Sequence, residues 1–241
     1  MKVPVKDTVH LQRIAPNGDL FNAEGDFAAG QWRPWSNQGA SQLKEVASAG
    51  TGSVNRVFAI GSDGKIHEND GDFAAGKWNG WSDKGGTDLK HVTSATTADQ
   101  VNHIFATDAS GQILERDADY TAGTWGNWSV AGPVGGFKAL DVTASASDRT
   151  VHLGAISLTG QYFNTEGDFA AGRWNGWSNM GGDNLKRVTS AAANGVNHVF
   201  ATNGANRLIE RDADYNAGAW NEWADAAGGA DATSATATFT N

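Results

Sequence analysis

The sequence predicts an all-β protein: a five-bladed β-propeller in which each blade is a four-stranded antiparallel sheet. All ten tryptophans fall in five W-x-x-W pairs, whose first members are 46, 47, 49 and 46 residues apart. Whole segments repeat with them, as in GDFAAGKWNGWS and GDFAAGRWNGWS. Glycine is abundant (31 residues) and proline is scarce (4), which suits many tight turns between short strands. A repeat of this length that holds several short strands is typical of propeller blades.

The second repeat shows the order of strands within a blade. LKEVASA (43–49) has the pattern of a first strand, and VNRVFAIG (54–61) has that of the next. A tight turn at SDGK leads into KIHEND, and GDFAAG then connects to the outermost strand, KWNGWS. Each run is short, carries β-branched or aromatic residues and is bounded by Gly, Asp or Asn, as strands usually are. No window has the apolar period of a long amphipathic helix.

The repeats are expected to begin near residues 9, 54, 101, 151 and 196, and residues 1–241 are expected to form one domain. The first repeat lacks an LKxVxSA strand, and the C-terminal DATSATATFTN aligns with the missing strand. We therefore expect the C-terminal strand to complete the first blade and close the ring, which removes an unpaired sheet edge. The alternative is that residues 1–5 fill this place, but Pro4 has no amide hydrogen for a ladder.

Composition excludes several classes of protein. A net charge of −9 argues against nucleic acid or an anionic membrane as partner. The absence of cysteine excludes disulfides and thiolate metal sites. No apolar segment follows the charged N-terminus, so no signal peptide is expected, and every apolar run is too short for membrane insertion. We therefore expect a soluble protein, with secreted and cytoplasmic locations both left open.

The tryptophans are the first candidate ligand-binding residues. Two rings three residues apart on one strand are expected to point to opposite faces. At least one ring of each pair is then expected to pack between blades, while the other interpretation is that one ring per blade stacks on the apolar face of a sugar. The two interpretations are compatible. The residues are Trp32, Trp35, Trp78, Trp81, Trp125, Trp128, Trp174, Trp177, Trp220 and Trp223.

Two acids per repeat are the second set of candidates. An aspartate precedes an aromatic residue in every repeat, at Asp26, Asp72, Asp119, Asp168 and Asp214. It either caps the following loop as an Asx turn or accepts hydrogen bonds from sugar hydroxyls. A second acid stands two positions earlier, at Glu24, Asp70, Asp117, Glu166 and Asp212. Two acids fall short of the oxygen shell of calcium, so no metal site and no cofactor is expected.

A polar residue in the second strand is the third candidate. The starting points given above place His10, Asn55, Asn102, His152 and Asn197 at one position, with His103 and His198 directly after two of the asparagines. The asparagines either donate to a ligand held between blades or are ordinary strand residues that face solvent. No group of histidines has the spacing of metal ligands along the chain.

The repeats are of two kinds, and their similarity favours binding over catalysis. Repeats three and five read ERDADYxAG, with Arg116 and Arg211 between acids, where the other repeats have GDFAAG, so their sites are expected to differ in affinity. Catalysis needs differentiated acids and bases, and none stands out against the repeat. We therefore expect a multivalent carbohydrate-binding protein rather than an enzyme, because repeated weak sites increase avidity. The alternatives are a protein-interaction propeller and, less favoured, a glycoside hydrolase.

The W-x-x-W segments, the five units of this length and the lack of cysteine resemble the tachylectin-type five-bladed propeller lectins. The chain is also similar to the Photorhabdus-type fucose-binding propeller lectins, which have seven blades. These resemblances imply pockets between adjacent blades, up to five per chain, for N-acetylhexosamines in the first family or fucose in the second. They point to the first tryptophan of each pair, with its partner, as pocket or supporting residues. The partner that they imply is a glycan-bearing surface.

Overall fold

The computed structural model describes residues 8–26, 30–51, 54–73, 75–133, 138–193, 195–226 and 232. Over these ranges the regular elements are β-strands, which form five antiparallel sheets, one for each sequence repeat. The all-β class predicted from the sequence is therefore confirmed. Within the same ranges there is no helix of the length and apolarity needed to cross a membrane.

The strands are numbered in chain order. Sheet 1 contains β1 (Thr8–Ile14), β2 (Leu20–Asp26), β3 (Gln31–Trp32) and β4 (Ser36–Asn37). Sheet 2 contains β5 (Leu43–Thr51), β6 (Val54–Gly61), β7 (Ile66–Asp72), β8 (Lys77–Trp78) and β9 (Ser82–Asp83). Sheet 3 contains β10 (Leu89–Thr96), β11 (Val101–Asp108), β12 (Ile113–Asp119), β13 (Thr124–Trp125) and β14 (Ser129–Val130). Sheet 4 contains β15 (Ala139–Ser147), β16 (Thr150–Ser157), β17 (Tyr162–Asp168), β18 (Arg173–Trp174) and β19 (Ser178–Asn179). Sheet 5 contains β20 (Leu185–Ala193), β21 (Val196–Asn203), β22 (Leu208–Asp214), β23 (Ala219–Trp220) and β24 (Ala224–Asp225).

Each sheet is a meander whose last strand is broken. In sheet 2 the order is β5-β6-β7-β8, and β9 also pairs with β7. The pieces β8 and β9 pair with opposite ends of β7, and the residues between the two tryptophans separate them. The four-stranded blade predicted from the sequence is therefore present in outline, with an outermost strand in two short pieces.

The hairpin between the second and third strands fixes where each repeat begins. The first hairpin residue pairs with the aspartate at its far end in every sheet, at Thr8, Val54, Val101, Thr150 and Val196. The predicted starting points, near 9 and near 151, lie one residue after these hairpin starts, because Thr8 and Thr150, which are β-branched like valine, occupy the first strand position in these two repeats.

A hydrogen bond from the start of each first strand to the preceding hairpin turn recurs along the chain. The bonds run from the amides of Leu43, Leu89, Ala139 and Leu185 to the carbonyls of Gly18 (3.0 Å), Gly64 (2.9 Å), Gly111 (2.8 Å) and Gly160 (2.9 Å). The amide of Ala232 makes the same bond to Asn206 (2.6 Å), so it occupies the corresponding position. The rest of the C-terminal segment lies outside the described residues, as do residues 1–5. Ring closure by the C-terminal strand therefore stays a prediction.

The described residues form two compact units. The first ends at Val92 and contains sheets 1 and 2, while the second begins at Thr93, within β10, and contains sheets 4 and 5 with most of sheet 3. The prediction of one domain over residues 1–241 stays a prediction.

Within each unit, apolar clusters lie between neighbouring sheets. In the first unit Leu20 of sheet 1 packs with Leu43 and Val57 of sheet 2. In the second unit, Phe105 and Leu153 join sheets 3 and 4 in one cluster, and a further cluster joins sheets 4 and 5. Each cluster also includes both tryptophans of its later sheet. Removal of these apolar surfaces from water, worth about 25 cal/mol per Å², is the main force that holds neighbouring sheets together.

Candidate functional site

The tryptophans of sheets 2, 4 and 5 lie against the preceding sheet. Trp78 and Trp81 both pack on the cluster of Leu20 and Val57, and the indole N–H of Trp81 donates to the carbonyl of Gln38 in sheet 1 (2.9 Å). Both members of the later pairs, Trp174 with Trp177 and Trp220 with Trp223, join such clusters too. The predicted packing between blades is therefore confirmed for these pairs. The prediction that two rings of a pair point to opposite faces is wrong, because the outer strand is broken between them.

The other two pairs are placed differently. Trp125 and Trp128 of sheet 3 are half-buried. Trp32 and Trp35 of sheet 1 are 52% and 43% exposed, far more than the tryptophans of the clusters. The guanidinium of Arg13 lies over the Trp35 ring, 5.0 Å from its centroid.

The aspartate before the aromatic residue forms an Asx turn in four repeats. Its Oδ1 accepts the amide three residues on, at 2.9 Å, in the pairs Asp72–Ala75, Asp119–Ala122, Asp168–Ala171 and Asp214–Ala217. The corresponding partner of Asp26 lies outside the described residues. The capping interpretation is therefore confirmed for these four residues, which fix the loop that carries the first tryptophan.

Strand pairing places a basic or imidazole side chain opposite the second acid of every repeat. The pairs are His10–Glu24, Arg56–Asp70, His103–Asp117, His152–Glu166 and His198–Asp212. The predicted alignment of His10 and His152 with the asparagines is therefore wrong by one residue. Counting back 22 residues from the first tryptophan of each pair reaches this position in all five repeats, so the sequence contains the signal.

The asparagines are buried between strands. Asn55, Asn102 and Asn197 are only 6%, 0% and 1% exposed. Oδ1 of Asn102 accepts a hydrogen bond from Thr96 (3.0 Å), and Oδ1 of Asn197 accepts one from Ser145 in sheet 4 (2.9 Å). The interpretation that they face solvent is therefore wrong. Asn102 connects two strands of sheet 3, and Asn197 connects sheet 5 to sheet 4.

An aromatic wall forms where neighbouring sheets of one unit meet. The histidine of the earlier sheet packs on the aromatic residue of the later sheet: the rings are stacked in His10–Phe73 (3.7 Å between ring centroids) and His152–Tyr215 (3.9 Å), and tilted by 37° in His103–Phe169 (3.8 Å). The same aromatic residue meets the first tryptophan of its own sheet edge to face in the pairs Phe73–Trp78 (6.0 Å), Phe169–Trp174 (5.7 Å) and Tyr215–Trp220 (6.4 Å). The repeat thus holds three rings in a fixed order.

A cleft of about 200 Å³ opens beside this wall between sheets 1 and 2. It is lined by Glu24, Asp26 and Arg33 of sheet 1 and by Phe73, Gly76, Lys77 and Trp78 of sheet 2. The amide of Arg33 donates to the carbonyl of Glu24 (2.7 Å), and this backbone bond brings the guanidinium within 2.8 Å of the Glu24 carboxylate. The cleft therefore combines two cations, two carboxylates and two aromatic rings.

The charge of Arg33 also acts on His10. Burial of the imidazole, and then the nearby guanidinium, lower the pKa of His10 to about 4. The stacked ring is consequently neutral at neutral pH. Between sheets 4 and 5 the balance differs, because the contact of His152 with Glu166, 3.5 Å from Nδ1 to the carboxylate, is the main cause that holds the pKa of Glu166 below its ordinary value.

Two groups in the second unit have donor atoms close enough to hold a metal ion. They are His103, Glu115 and Asp117 in sheet 3, and His198, Glu210 and Asp212 in sheet 5, each with ligand atoms within 4.8 Å of one another. Spacing along the chain does not indicate these groups, because the histidine and the acids come from two paired strands.

No protein-family model and no curated protein matches the chain. Among solved structures, the BP39L lectin from Burkholderia pseudomallei is similar, with a TM-score of 0.71 and 20% identity over 93% of this chain and 68% of that one. The SapL1 lectin in complex with alpha methyl fucoside has a TM-score of 0.64 and 15% identity over 96% and 83% of the two chains. A lectin from Aleuria aurantia with a six-bladed β-propeller fold has a TM-score of 0.58 and 14% identity over 98% and 86%. This chain has the β-propeller fold, with the five sheets as its blades.

Proposed function

We propose that the chain is a lectin that holds small sugars in clefts between neighbouring blades and catalyses no reaction. The observation that carries this proposal is the composition of the cleft between sheets 1 and 2. A sugar presents an apolar face of C–H groups and an edge of hydroxyls. The first suits an aromatic ring such as Trp78, and the second suits charged hydrogen-bonding groups such as Glu24 and Arg33.

The cleft is preorganised for this task. Trp78 is half-buried because the core beneath it fixes the ring, while another part of the ring lines the cleft. The ion pair of Glu24 with Arg33 holds both polar groups in place before a ligand arrives. At about 200 Å³ the cleft is smaller than the pockets of roughly 300–1,000 Å³ that take drug-sized molecules, so it suits a single sugar unit.

Fucose is the sugar that we favour over N-acetylhexosamines. Three of the similar lectin structures hold fucosides, two with an alpha methyl fucoside and one with Fucalpha1-6GlcNAc. Fucose carries a methyl group in place of a hydroxymethyl group, and an indole ring can cover this methyl group. The cleft supplies such a ring beside a cation and a carboxylate.

Part of this site recurs within the second unit, where the position of Arg33 is occupied by Gly126 in sheet 3 and by Asn175 in sheet 4. At the junction of sheets 3 and 4 the equivalent residues are Asp117, Asp119, Phe169, Arg173 and Trp174, and at that of sheets 4 and 5 they are Glu166, Asp168, Asn175, Tyr215 and Trp220. In our proposal the first tryptophan of each pair contacts sugar, while the second tryptophan and the buried asparagines support it. Several weak sites on one scaffold increase avidity for a glycan-bearing surface by about 10²–10⁴.

Calorimetric titration with L-fucose, N-acetylglucosamine and N-acetylgalactosamine tests the proposal. We expect heat with fucose at a stoichiometry above one per chain. Trp78→Ala and Arg33→Ala should each remove one site, because the loss of either partner costs at least about 1.4 kcal/mol, or tenfold in affinity.

A matched control is available in the same unit. Lys65 also forms an ion pair, with Asp83 (2.9 Å), but lies outside the cleft, so Lys65→Ala should leave the titration unchanged. The proposal fails if none of the three sugars and no fucosylated oligosaccharide gives heat. It also fails if the two cleft variants bind like the Lys65 variant.

A further inference from the structure

We propose that the third and fifth blades each bind a divalent transition metal ion, best matched by zinc, between one histidine and two carboxylates. The ligands are His103, Glu115 and Asp117 in sheet 3, and His198, Glu210 and Asp212 in sheet 5. This metal-binding property goes beyond sugar recognition, and in sheet 3 the two sites share Asp117.

In sheet 3 the three ligand atoms lie within 4.8 Å of one another. Nδ1 of His103 lies 2.7 Å from a carboxylate oxygen of Asp117 and 3.5 Å from one of Glu115. Ligands at about 2.0–2.2 Å in a tetrahedral site are roughly 3.4 Å from one another. Asp117 has only to move outward by a fraction of an ångström, and its side chain is 44% exposed and free to do so.

The hydrogen bond at Nε2 of His103 leaves the other ring nitrogen, Nδ1, facing the two acids. The Thr97 hydroxyl lies 2.6 Å from a carboxylate oxygen of Asp99 and donates its hydrogen there. Its oxygen, 3.3 Å from Nε2 of His103, therefore accepts the Nε2 hydrogen. Nδ1 then faces two carboxylates and must carry a proton or bind a cation. Metal-bound histidines usually have their second nitrogen held in this way.

Glu115 supplies an independent indication of a cation. It is 7% exposed, and within the described residues its buried Oε1 has no hydrogen bond. The nearest donor to this oxygen, Nδ1 of His103, is 3.5 Å away, and a metal ion between the two atoms would satisfy both.

The other sheets compensate this acid or lack it. In sheet 2 the equivalent Glu68 is paired with Lys84 at 3.0 Å. In sheets 1 and 4 the position is occupied by an amide, in Asn22 and Asn164. Sheets 3 and 5 keep the glutamate but have Ala131 and Ala226 where sheet 2 has Lys84. The two blades that have alanine in place of this lysine are the two in which a histidine and two carboxylates form a possible metal site.

The arginines of these two blades contact backbone carbonyls and indole rings. Nε of Arg116 donates to the carbonyl of Gly126 (2.8 Å), and its guanidinium lies 5.0 Å from the centroid of the Trp125 ring. Arg211 likewise donates to the carbonyl of Met180 and lies over Trp220. Neighbouring residues of a strand face opposite sides, so the arginines face away from the adjacent acids.

The ligand types select the ion. One imidazole with two carboxylates suits zinc and related ions, which accept nitrogen and oxygen ligands in four-coordinate sites. Calcium prefers six to eight oxygen ligands, which these groups do not provide. Water can occupy the fourth position on the side of Asp117.

Calorimetric titration of the EDTA-stripped chain with zinc chloride tests the proposal, with cobalt(II) absorbance as a direct report on the ligands. Glu115→Gln and Glu210→Gln should each lower the zinc stoichiometry by one, and the double variant should lose two ions and the corresponding cobalt absorbance. Glu166→Gln is the matched control, because Asn164 leaves only one acid beside His152 in sheet 4.

Because Gln has nearly the shape of Glu, and because Glu210 is partly exposed while Glu115 is buried beside a second acid, the variants should fold like the wild type. If Glu115→Gln fails to fold, Asp117→Asn at the exposed ligand tests the same site. Zinc should also raise the unfolding temperature of the wild type but not of the double variant. The proposal is overturned if the wild type binds no zinc below millimolar concentration, or if the variants keep the wild-type stoichiometry.

Discussion

The junction of sheets 1 and 2 and the junction of sheets 4 and 5 are built from the same parts but carry different charges. In each, a histidine stacks on the aromatic residue of the later sheet: His10 on Phe73 and His152 on Tyr215. In each, the histidine also lies opposite a glutamate. The two junctions differ at the residue after the first tryptophan of the earlier sheet, which is Arg33 in sheet 1 and Asn175 in sheet 4.

Both junctions have the same backbone hydrogen bond at this residue, so the side chain at this position determines the charge beside the glutamate. The amides of Arg33 and Asn175 both donate to the carbonyl of the glutamate, at 2.7 and 2.8 Å. Arg33 therefore binds the Glu24 carboxylate, whereas Asn175 adds an amide contact of 3.2 Å to Glu166 and leaves that acid to His152. The repeat fixes the ring stacking, and one variable residue between the tryptophans decides which partner the acid takes.

Both junctions have the first tryptophan of the later sheet in their core, Trp78 in one and Trp220 in the other, and its removal should have the largest effect on stability. Trp220 packs on the cluster of Tyr162 and Leu185 between sheets 4 and 5. We expect Trp220→Ala to lower the free energy of unfolding by about 3 kcal/mol, through lost burial and the resulting cavity. Urea unfolding measures this loss.

Trp32→Ala is the matched control, since this ring is 52% exposed. It should cost less than about 1 kcal/mol, as most exposed substitutions do. Equal losses for the two variants would contradict the assignment of Trp220 to the core between sheets.

A smaller effect should come from the residue that precedes the Asx aspartate. A Cβ at Gly167 of sheet 4 would lie 2.8 Å from the Phe169 ring and 3.0 Å from the Trp174 ring. Sheet 5 has Ala213 at this position, where its two rings are 6.4 Å apart rather than 5.7 Å. We expect Gly167→Ala to destabilise the chain by about 1–2 kcal/mol, because the rings must separate to admit a methyl group.

Gly176 offers a control for that change within the same sheet. A Cβ there meets nothing within 4 Å, and its φ is not positive, so Gly176→Ala should be neutral or slightly stabilising in the same urea measurement. A neutral Gly167→Ala would show that the smaller ring separation in sheet 4 leaves room for the methyl group.

The sequence predicts the fold because the signals for blades are local. The tryptophan period, the Gly- and Asn-rich turns and the β-branched runs each specify one strand or turn, and the structure has these elements in the predicted order. The sequence predicts the orientation of the two rings of a tryptophan pair wrongly, because the alternation of side chains along a regular strand does not continue through the W-x-x-W segment. The break between β8 and β9 ends that alternation.

The site is predicted only in part. The first tryptophans and both acids are recognised because they recur in every repeat. The histidine row is missed by a shift of one residue at Thr8 and Thr150, and such a shift moves every side chain to the other face of a strand. Arg33 is missed because only the first repeat has arginine at this position, so comparison of the repeats gives no signal for it.

The smallest expected effect tests the comparison of the two junctions itself. Arg33→Asn gives sheet 1 the residue of sheet 4 and frees the Glu24 carboxylate to pair with His10. The pKa of His10, held at about 4 by burial and then by Arg33, should rise by roughly one unit, because burial remains while the repulsion is replaced by attraction. Titration of the histidine ring protons by NMR measures this pKa.

The same change should alter how stability depends on pH. With a folded pKa near 4 and an ordinary value near 6.5, His10 binds its proton more readily in the unfolded chain. Its contribution to stability is therefore complete above pH 6.5 and is lost as the pH falls toward 4, by about 1 kcal/mol after allowance for its partial exposure. Arg33→Asn should reduce that loss, and His10→Gln should abolish it. An unchanged His10 titration in Arg33→Asn would mean that burial alone sets the charge at this junction, and that the residue after the tryptophan is not what distinguishes it from the junction of sheets 4 and 5.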